Sequence, residues 1–129
     1  MTDRMIPFNR PYTTGRETVL MSDAIALGHL SGNGSYTRRA CDLIASITGT
    51  RDVLLTTSCT HALEMAAILL DVGEDDEVIM PSYTFVSCAN AFALRGARPV
   101  FVDIRSDTFC LDESLVEAAI TDRTRAIVV

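Results

Sequence analysis

Residues 53–70, V-L-L-T-T-S-C-T-H-A-L-E-M-A-A-I-L-L, decide how this chain folds. Val53-Leu54-Leu55 is an apolar run short enough for a buried strand, and Thr56-Thr57-Ser58-Cys59-Thr60 is a polar elbow. Ala62, Leu63, Met65, Ala66, Ile68, Leu69 and Leu70 then recur at helical spacing in a segment rich in strong helix formers. The spacing predicts strand, hydroxyl-rich turn, helix. The first N–H groups of such a helix have no carbonyl partners of their own, and the positive end of the helix dipole stands behind them. That end suits an anion, phosphate above all. The same residues allow a plainer reading in which Thr57 or Ser58 only caps a core helix.

Downstream the pattern alternates. Residues 72–76, V-G-E-D-D, are an acidic turn, and Glu77-Val78-Ile79-Met80 is a strand that Pro81 ends for want of an N–H. A second polar elbow, Ser82-Tyr83-Thr84, leads into a helix over 85–95 that Gly96 closes. Residues 99–104, P-V-F-V-D-I, are a third strand, 112–120 a helix with Asp112 as its cap, and 125–129 the start of a fourth strand. Strands apolar on both faces, alternating with helices, indicate an α/β layer with a largely parallel sheet. The final apolar run has no helix after it, so the pattern predicts the amino-terminal part of a longer protein.

Upstream, the Pro7- and Pro11-containing stretch 1–12 reads as an extended arm. Residues 14–27 read as a helix with Val19, Leu20, Ala24 and Leu27 on one face, stopped by Gly28. Residues 36–47 read as a second one, with Ala40, Leu43, Ile44 and Ile47 inward and Arg38, Arg39 and Asp42 outward, ended by Gly49. The Gly32-x-Gly34 pair between them follows a helix, not a strand, and so fails the context a dinucleotide fingerprint requires. The organisation expected is an arm with helices over 1–52 and an incomplete α/β domain from 53 to 129.

Composition removes several chemistries. All 11 basic residues are arginines, so no lysine is present for a Schiff base or a Walker-type phosphate loop. Four well-separated cysteines and two histidines fit reduced thiols in the cytoplasm, and neither a disulfide framework nor a metal site is expected. A net charge of −6 argues against nucleic acid, and the apolar runs are too short to span a membrane.

In an open parallel sheet, ligands sit outside the carboxyl ends of the strands. Three loops, 56–60, 81–84 and 103–106, leave such ends. The first offers N–H groups and hydroxyls, and the second offers the flat faces of Tyr83 and Phe85. Against these stand core packing for Phe85, a turn role for Asp103 and a surface position for His61.

Three long motifs carry a resemblance: S-C-T-H-A-L-E-M-A-A at 58–67, G-E-D-D-E-V-I-M-P-S-Y-T-F-V-S-C-A-N-A-F at 73–92, and G-A-R-P-V-F-V-D-I-R at 96–105. With them the chain resembles, from residue 5 to 129, the DegT/StrS family of pyridoxal-phosphate-dependent sugar-nucleotide aminotransferases. The resemblance implies the large domain of a fold-type-I transferase, with a mostly parallel sheet flanked by helices.

It also implies pyridoxal 5'-phosphate as cofactor, with Cys59 and Thr60 holding its phosphate, Phe85 on its ring and Ser58 as a further cofactor-binding residue. Phe8 and the Gly28-His29-Leu30-Ser31 segment match positions lining the substrate site. The implied partners are a nucleotide-diphosphate sugar, an amino-acid donor (glutamate) and a second copy in a homodimer. The family's Schiff-base lysine and its ring-nitrogen aspartate have no counterpart in this chain, and Asp103 does not take the latter role. The family pattern further implies that the strand at 53–55 pairs with strands this chain does not contain. A dehydratase outcome within the family, or a non-catalytic phosphate-binding module, remain the alternatives.

Overall fold

The computed structural model describes residues 5–129, which fall into two units meeting in sequence at Leu55 and Thr56. The first four residues of the predicted arm lie outside the described residues. Within the first unit, α1 spans Glu17–Ala26 and α2 spans Ser35–Thr48. Thr14 starts α1: its N–H and hydroxyl both donate to Glu17 Oε1, at 2.6 and 2.8 Å. Those donors, the Thr14 N–H first, hold the Glu17 carboxyl down to about 2. The two helices are joined by the Tyr36 hydroxyl, which donates to Asp23 Oδ2 at 2.7 Å. α2 closes on Gly49, whose left-handed backbone lets its N–H reach the Ala45 carbonyl.

Two expectations for this unit change. The stripe assigned inward on α2 is not buried, with Leu43 61 % and Ile47 74 % exposed. Val19 and Leu27 on α1 are exposed too. Two helices alone supply no second layer to cover an apolar stripe. The run Val53-Leu54-Leu55 is not a strand. It has no ladder partner among the described residues, and a strand exists only through one.

The second unit carries α3 (Cys59–Leu69), β1 (Glu77–Pro81), α4 (Val86–Ala93), β2 (Arg98–Val102), a 3-10 turn (Glu113–Leu115), α5 (Val116–Ala119) and β3 (Thr124–Ile127). The sheet is parallel throughout, in the order β2-β1-β3. β1 is therefore central and buried along its whole length, which is why its E-V-I-M-P sequence carries apolar residues on both faces. Pro81 occupies the last ladder position opposite Val102 instead of ending the strand before it. β2 begins and ends earlier than predicted. Asp103 leaves the ladder because its own carboxylate accepts the Ile104 N–H at 2.8 Å.

The segment 112–120 keeps the Asp112 cap but not a continuous helix. Asp112 Oδ1 accepts the Ser114 N–H and hydroxyl, and the chain completes a 3-10 turn before one α turn. Ala67, Val72, Val78, Met80, Ala91, Phe92 and Ala97 form the core between the sheet and α3 with α4. Arginines close the helix ends. Arg125 donates twice to the Leu70 carbonyl at the end of α3, and Arg95 donates to the Val72 carbonyl.

One carboxylate fixes the amino-terminal edge of the sheet. Glu77 is 1 % exposed, yet it accepts hydrogen bonds from Arg98 and, at 2.7 Å, from Thr121, and it forms an ion pair with Arg123 at 2.7 Å. Those partners come from β2 and from the loop before β3, so one side chain joins the segments on both sides of the central strand.

Candidate functional site

Parallel pairing of Pro81 with Val102 puts the loops after β1 and β2 at the same sheet edge. They are tied to one another there: the Ser82 N–H donates to the Val102 carbonyl at 2.8 Å, and the Ser82 hydroxyl to Asp103 Oδ1 at 3.3 Å. Tyr83 tilts against Phe109 with ring centroids 6.1 Å apart. Phe109 holds φ at +58°, a conformation costly for a bulky residue, so the turn imposes it. Asp103 thus has the turn role that its spacing allows, with a second function in anchoring Ser82.

Phe85 is the N-cap of α4, in extended backbone, and is 73 % exposed. Core packing is excluded for it among the described residues. With Tyr83 and Thr84 it borders an open cavity of about 370 Å3, so its ring face is available to a flat ligand.

At the start of α3 the loop settles which donors are used. Ser58 is the N-cap, and its Oγ accepts the His61 N–H at 3.2 Å while its carbonyl accepts the Ala62 N–H. Thr56 turns its hydroxyl onto the Ser58 carbonyl, and the Thr57 hydroxyl lies 2.7 Å from His61 Nδ1. The N–H groups of Cys59 and Thr60 and the Thr60 hydroxyl have no protein partner among the described residues. Capping by Ser58 therefore coexists with unpaired N–H groups on Cys59 and Thr60. They are not alternatives, because one cap oxygen satisfies one donor and leaves two.

The remaining predicted positions lie in the first unit. Phe8 is fully exposed on extended chain. His29 Nε2 is shared between the Gly32 carbonyl at 3.1 Å and the Ser31 hydroxyl at 3.2 Å, which folds the Gly28–Ser31 segment onto itself. Gly28 is left-handed, and Leu30 is 73 % exposed. Among the described residues, the side-chain hydrogen bond within this set is His29–Ser31. Two features escaped the sequence reading. The Thr57–His61 pair was visible as an i,i+4 spacing across a helix start. The Ser82–Asp103 link, between residues far apart in sequence, had no local signal.

A parallel sheet with unpaired helix donors and an aromatic face at loop ends is the architecture that holds phosphate ligands in α/β proteins. The chain belongs to the DegT/DnrJ/EryC1/StrS aminotransferase family, whose model matches residues 13–129. Its fold is that of the amino-terminal part of the large domain in such transferases. The aminotransferase TlmJ from Streptoalloteichus hindustanus is 36 % identical with a TM-score of 0.89, over 97 % of this chain and 34 % of its own. Spr1654 from Streptococcus pneumoniae, solved in its PMP form, is 36 % identical with a TM-score of 0.83, over 95 % and 31 %. NtdA from Bacillus subtilis, with the cofactor PMP bound, is 28 % identical with a TM-score of 0.80, over 96 % and 31 %. The chain thus spans about a third of the length of these relatives.

Proposed function

We propose that this chain cradles pyridoxal 5'-phosphate in an enzyme that moves an amino group from an amino acid, glutamate, to a nucleotide-linked 4-keto-6-deoxyhexose. The observation that carries this is the pair of unpartnered N–H groups on Cys59 and Thr60 at the start of α3, in a chain of an aminotransferase family. When bound, the cofactor supplies the electron sink for amino transfer. The chain's own part is binding. Cys59 and Thr60 donate to phosphate oxygens through N–H groups, Thr60 adds its hydroxyl, and Phe85 offers a ring face. Ser58 holds the turn in shape through His61 and does not itself need to reach the ligand.

We infer further that the product is the amino sugar of a dTDP-4-amino-4,6-dideoxygalactose transaminase reaction, used in lipopolysaccharide or enterobacterial-common-antigen-type surface-polysaccharide synthesis. Phe8 and Gly28, His29, Leu30 and Ser31 are the proposed substrate-facing positions, and the working form is a cytoplasmic homodimer. The chain has no lysine to fix the cofactor covalently.

The test is a titration of the 129-residue chain with pyridoxal 5'-phosphate and with pyridoxal, which lacks the phosphate. The reading expects reversible binding of the first, weakened about tenfold or more without the phosphate. Equal affinity for the two would overturn it. So would an internal-aldimine absorbance band that survives dialysis, since that Schiff base needs a lysine amine.

A further inference from the structure

His61 is bound twice to the elbow that precedes it. Its main-chain N–H donates to Ser58 Oγ at 3.2 Å, and its ring Nδ1 lies 2.7 Å from the Thr57 hydroxyl oxygen. One residue in the first turn of α3 thus engages the hydroxyls of two consecutive residues before the helix. The remaining hydroxyl of the elbow, on Thr56, is committed to the Ser58 carbonyl at 2.7 Å.

The Thr57 and Ser58 hydroxyls have other partners within reach of local chemistry. An N-cap oxygen accepts from the second or the third residue of its helix, which for Ser58 means the Thr60 or the His61 N–H. A threonine hydroxyl can accept from the N–H two residues on, which for Thr57 means Cys59. Cys59 and Thr60 are therefore each offered an acceptor inside the chain, and an N–H that takes one is closed to a ligand.

The structure uses neither acceptor in that way. Ser58 takes the His61 N–H, the Thr57 hydroxyl meets the His61 ring, and the Cys59 and Thr60 N–H groups have no protein partner among the described residues. Both diversions run through His61. Its main-chain N–H could be supplied by almost any residue, but its hold on Thr57 needs a side chain with a polar atom at the position of Nδ1.

We propose that His61 is the positioning residue of the anion end of α3. Its N–H and its ring occupy the two hydroxyls that would otherwise cap Thr60 and Cys59, and so keep both donors open to phosphate. His61 acts through Ser58 and Thr57 and need not touch the ligand. The identity of the anion rests on the cofactor reading above, whereas the hold on the two hydroxyls does not.

The test compares three forms of the full chain: the parent, His61→Ala, and His61→Ala with Thr57→Val. Each is titrated with pyridoxal 5'-phosphate and with pyridoxal, and amide hydrogen exchange at Cys59 is followed without ligand. In His61→Ala the Thr57 hydroxyl is released to accept the Cys59 N–H. Cys59 exchange is expected to slow about threefold or more, and pyridoxal 5'-phosphate to bind about tenfold more weakly, with pyridoxal little affected. Helix content holds, since alanine is a strong helix former. Adding Thr57→Val removes the competing hydroxyl at nearly constant shape, and both measures return toward the parent's. His61→Asn, whose side-chain amide can stand in for Nδ1, keeps most of the affinity. A merely structural role for His61 gives no recovery, because the second substitution would only add to the damage. Cys59 exchange and affinity unchanged in His61→Ala, or a loss that Thr57→Val leaves in place, would overturn the proposal and leave the cofactor reading standing. Equal affinity of the parent for the two ligands would overturn the cofactor reading instead, and Cys59 exchange then decides the role of His61 by itself.

Discussion

Arg123 Nη2 lies 2.7 Å from Glu77 Oε1, and the Glu77 main-chain N–H donates back to the Arg123 carbonyl at 2.8 Å. Side chain and backbone thus fix the same pair, at the start of the central strand. Glu77 is the buried member, whereas the Arg98 and Arg123 side chains are 65 % and 57 % exposed, so replacing the carboxylate loses its charge-assisted hydrogen bonds without stranding a buried cation. Glu77→Gln is expected to lower the thermal midpoint at neutral pH, and by more than Glu113→Gln, whose exposed pairing with Arg105 is screened by water.

The pH dependence has a defined sign. The Thr121 hydroxyl first, and Arg98 and Arg123 after it, hold the Glu77 carboxyl below its ordinary 4.5. A depressed folded value contributes stability that is complete above the unfolded value and is lost as pH falls through the folded one. The midpoint is therefore expected to be level above pH 4.5 in this contribution and to fall below it. Glu17, Asp107 and Asp112 are depressed as well, so Glu77→Gln flattens the acid limb without abolishing it. Thermal melts of both proteins across the acid range measure this. An acid limb of unchanged steepness in the variant would show that Glu77 is not a contributor.

Ser58 and Thr60 are two residues apart but should separate cleanly. Ser58→Ala removes the cap oxygen from the His61 N–H and is expected to cost about 1 kcal/mol of stability. Thr60→Ala removes a hydroxyl with no protein partner and replaces it with a better helix former, so stability holds or rises by about 0.5 kcal/mol. Its cost falls on ligand affinity instead, about tenfold for pyridoxal 5'-phosphate, or about 1.4 kcal/mol. Chemical denaturation and a binding titration on each variant give the four numbers needed.

Gly96 follows α4 with φ at +94°, and a Cβ placed there would lie 2.8 Å from Glu74 Cγ and 3.3 Å from the Glu74 nitrogen. Gly96→Ala is expected to destabilise the chain by more than about 1 kcal/mol, because both the dihedral and the space forbid the side chain. In a Glu74→Ala background the side-chain clash disappears and the dihedral cost stays. Denaturation midpoints of the single and double variants should therefore show partial, not full, recovery.

Local pattern made most of the second unit legible. The period of the apolar residues located β1, α4 and β3, and Ser58 and Asp112 were visible as caps because capping depends on residue type and a few neighbours. Tertiary pairing was not legible in the same way. Val53-Leu54-Leu55 has strand composition, but a strand is a relation between two segments, and composition reports only one of them. Glu77 read as the polar first residue of a strand. Its burial comes from partners at 98, 121 and 123 that no local window contains.

Phe85 and Phe92 bound one helix and give the final test, because position alone assigns them opposite roles. Phe92 is 2 % exposed within the core between the sheet and the helices, whereas Phe85 is 73 % exposed at the N-cap. Phe92→Ala is expected to cost about 3–5 kcal/mol, enough to remove most of the stability of a small domain. Phe85→Ala is expected to change stability by less than about 0.5 kcal/mol, since no packing is lost. If Phe85 lies on the pyridine ring, the same substitution weakens pyridoxal 5'-phosphate binding while leaving inorganic phosphate binding intact. The ring contact and the phosphate grip are then separable, with Phe85→Ala losing the first and Thr60→Ala the second. A Phe85→Ala protein that binds pyridoxal 5'-phosphate as tightly as the parent would leave the exposed ring without a function in cofactor binding. The phosphate end of α3 would then be the only part of the cradle this chain supplies.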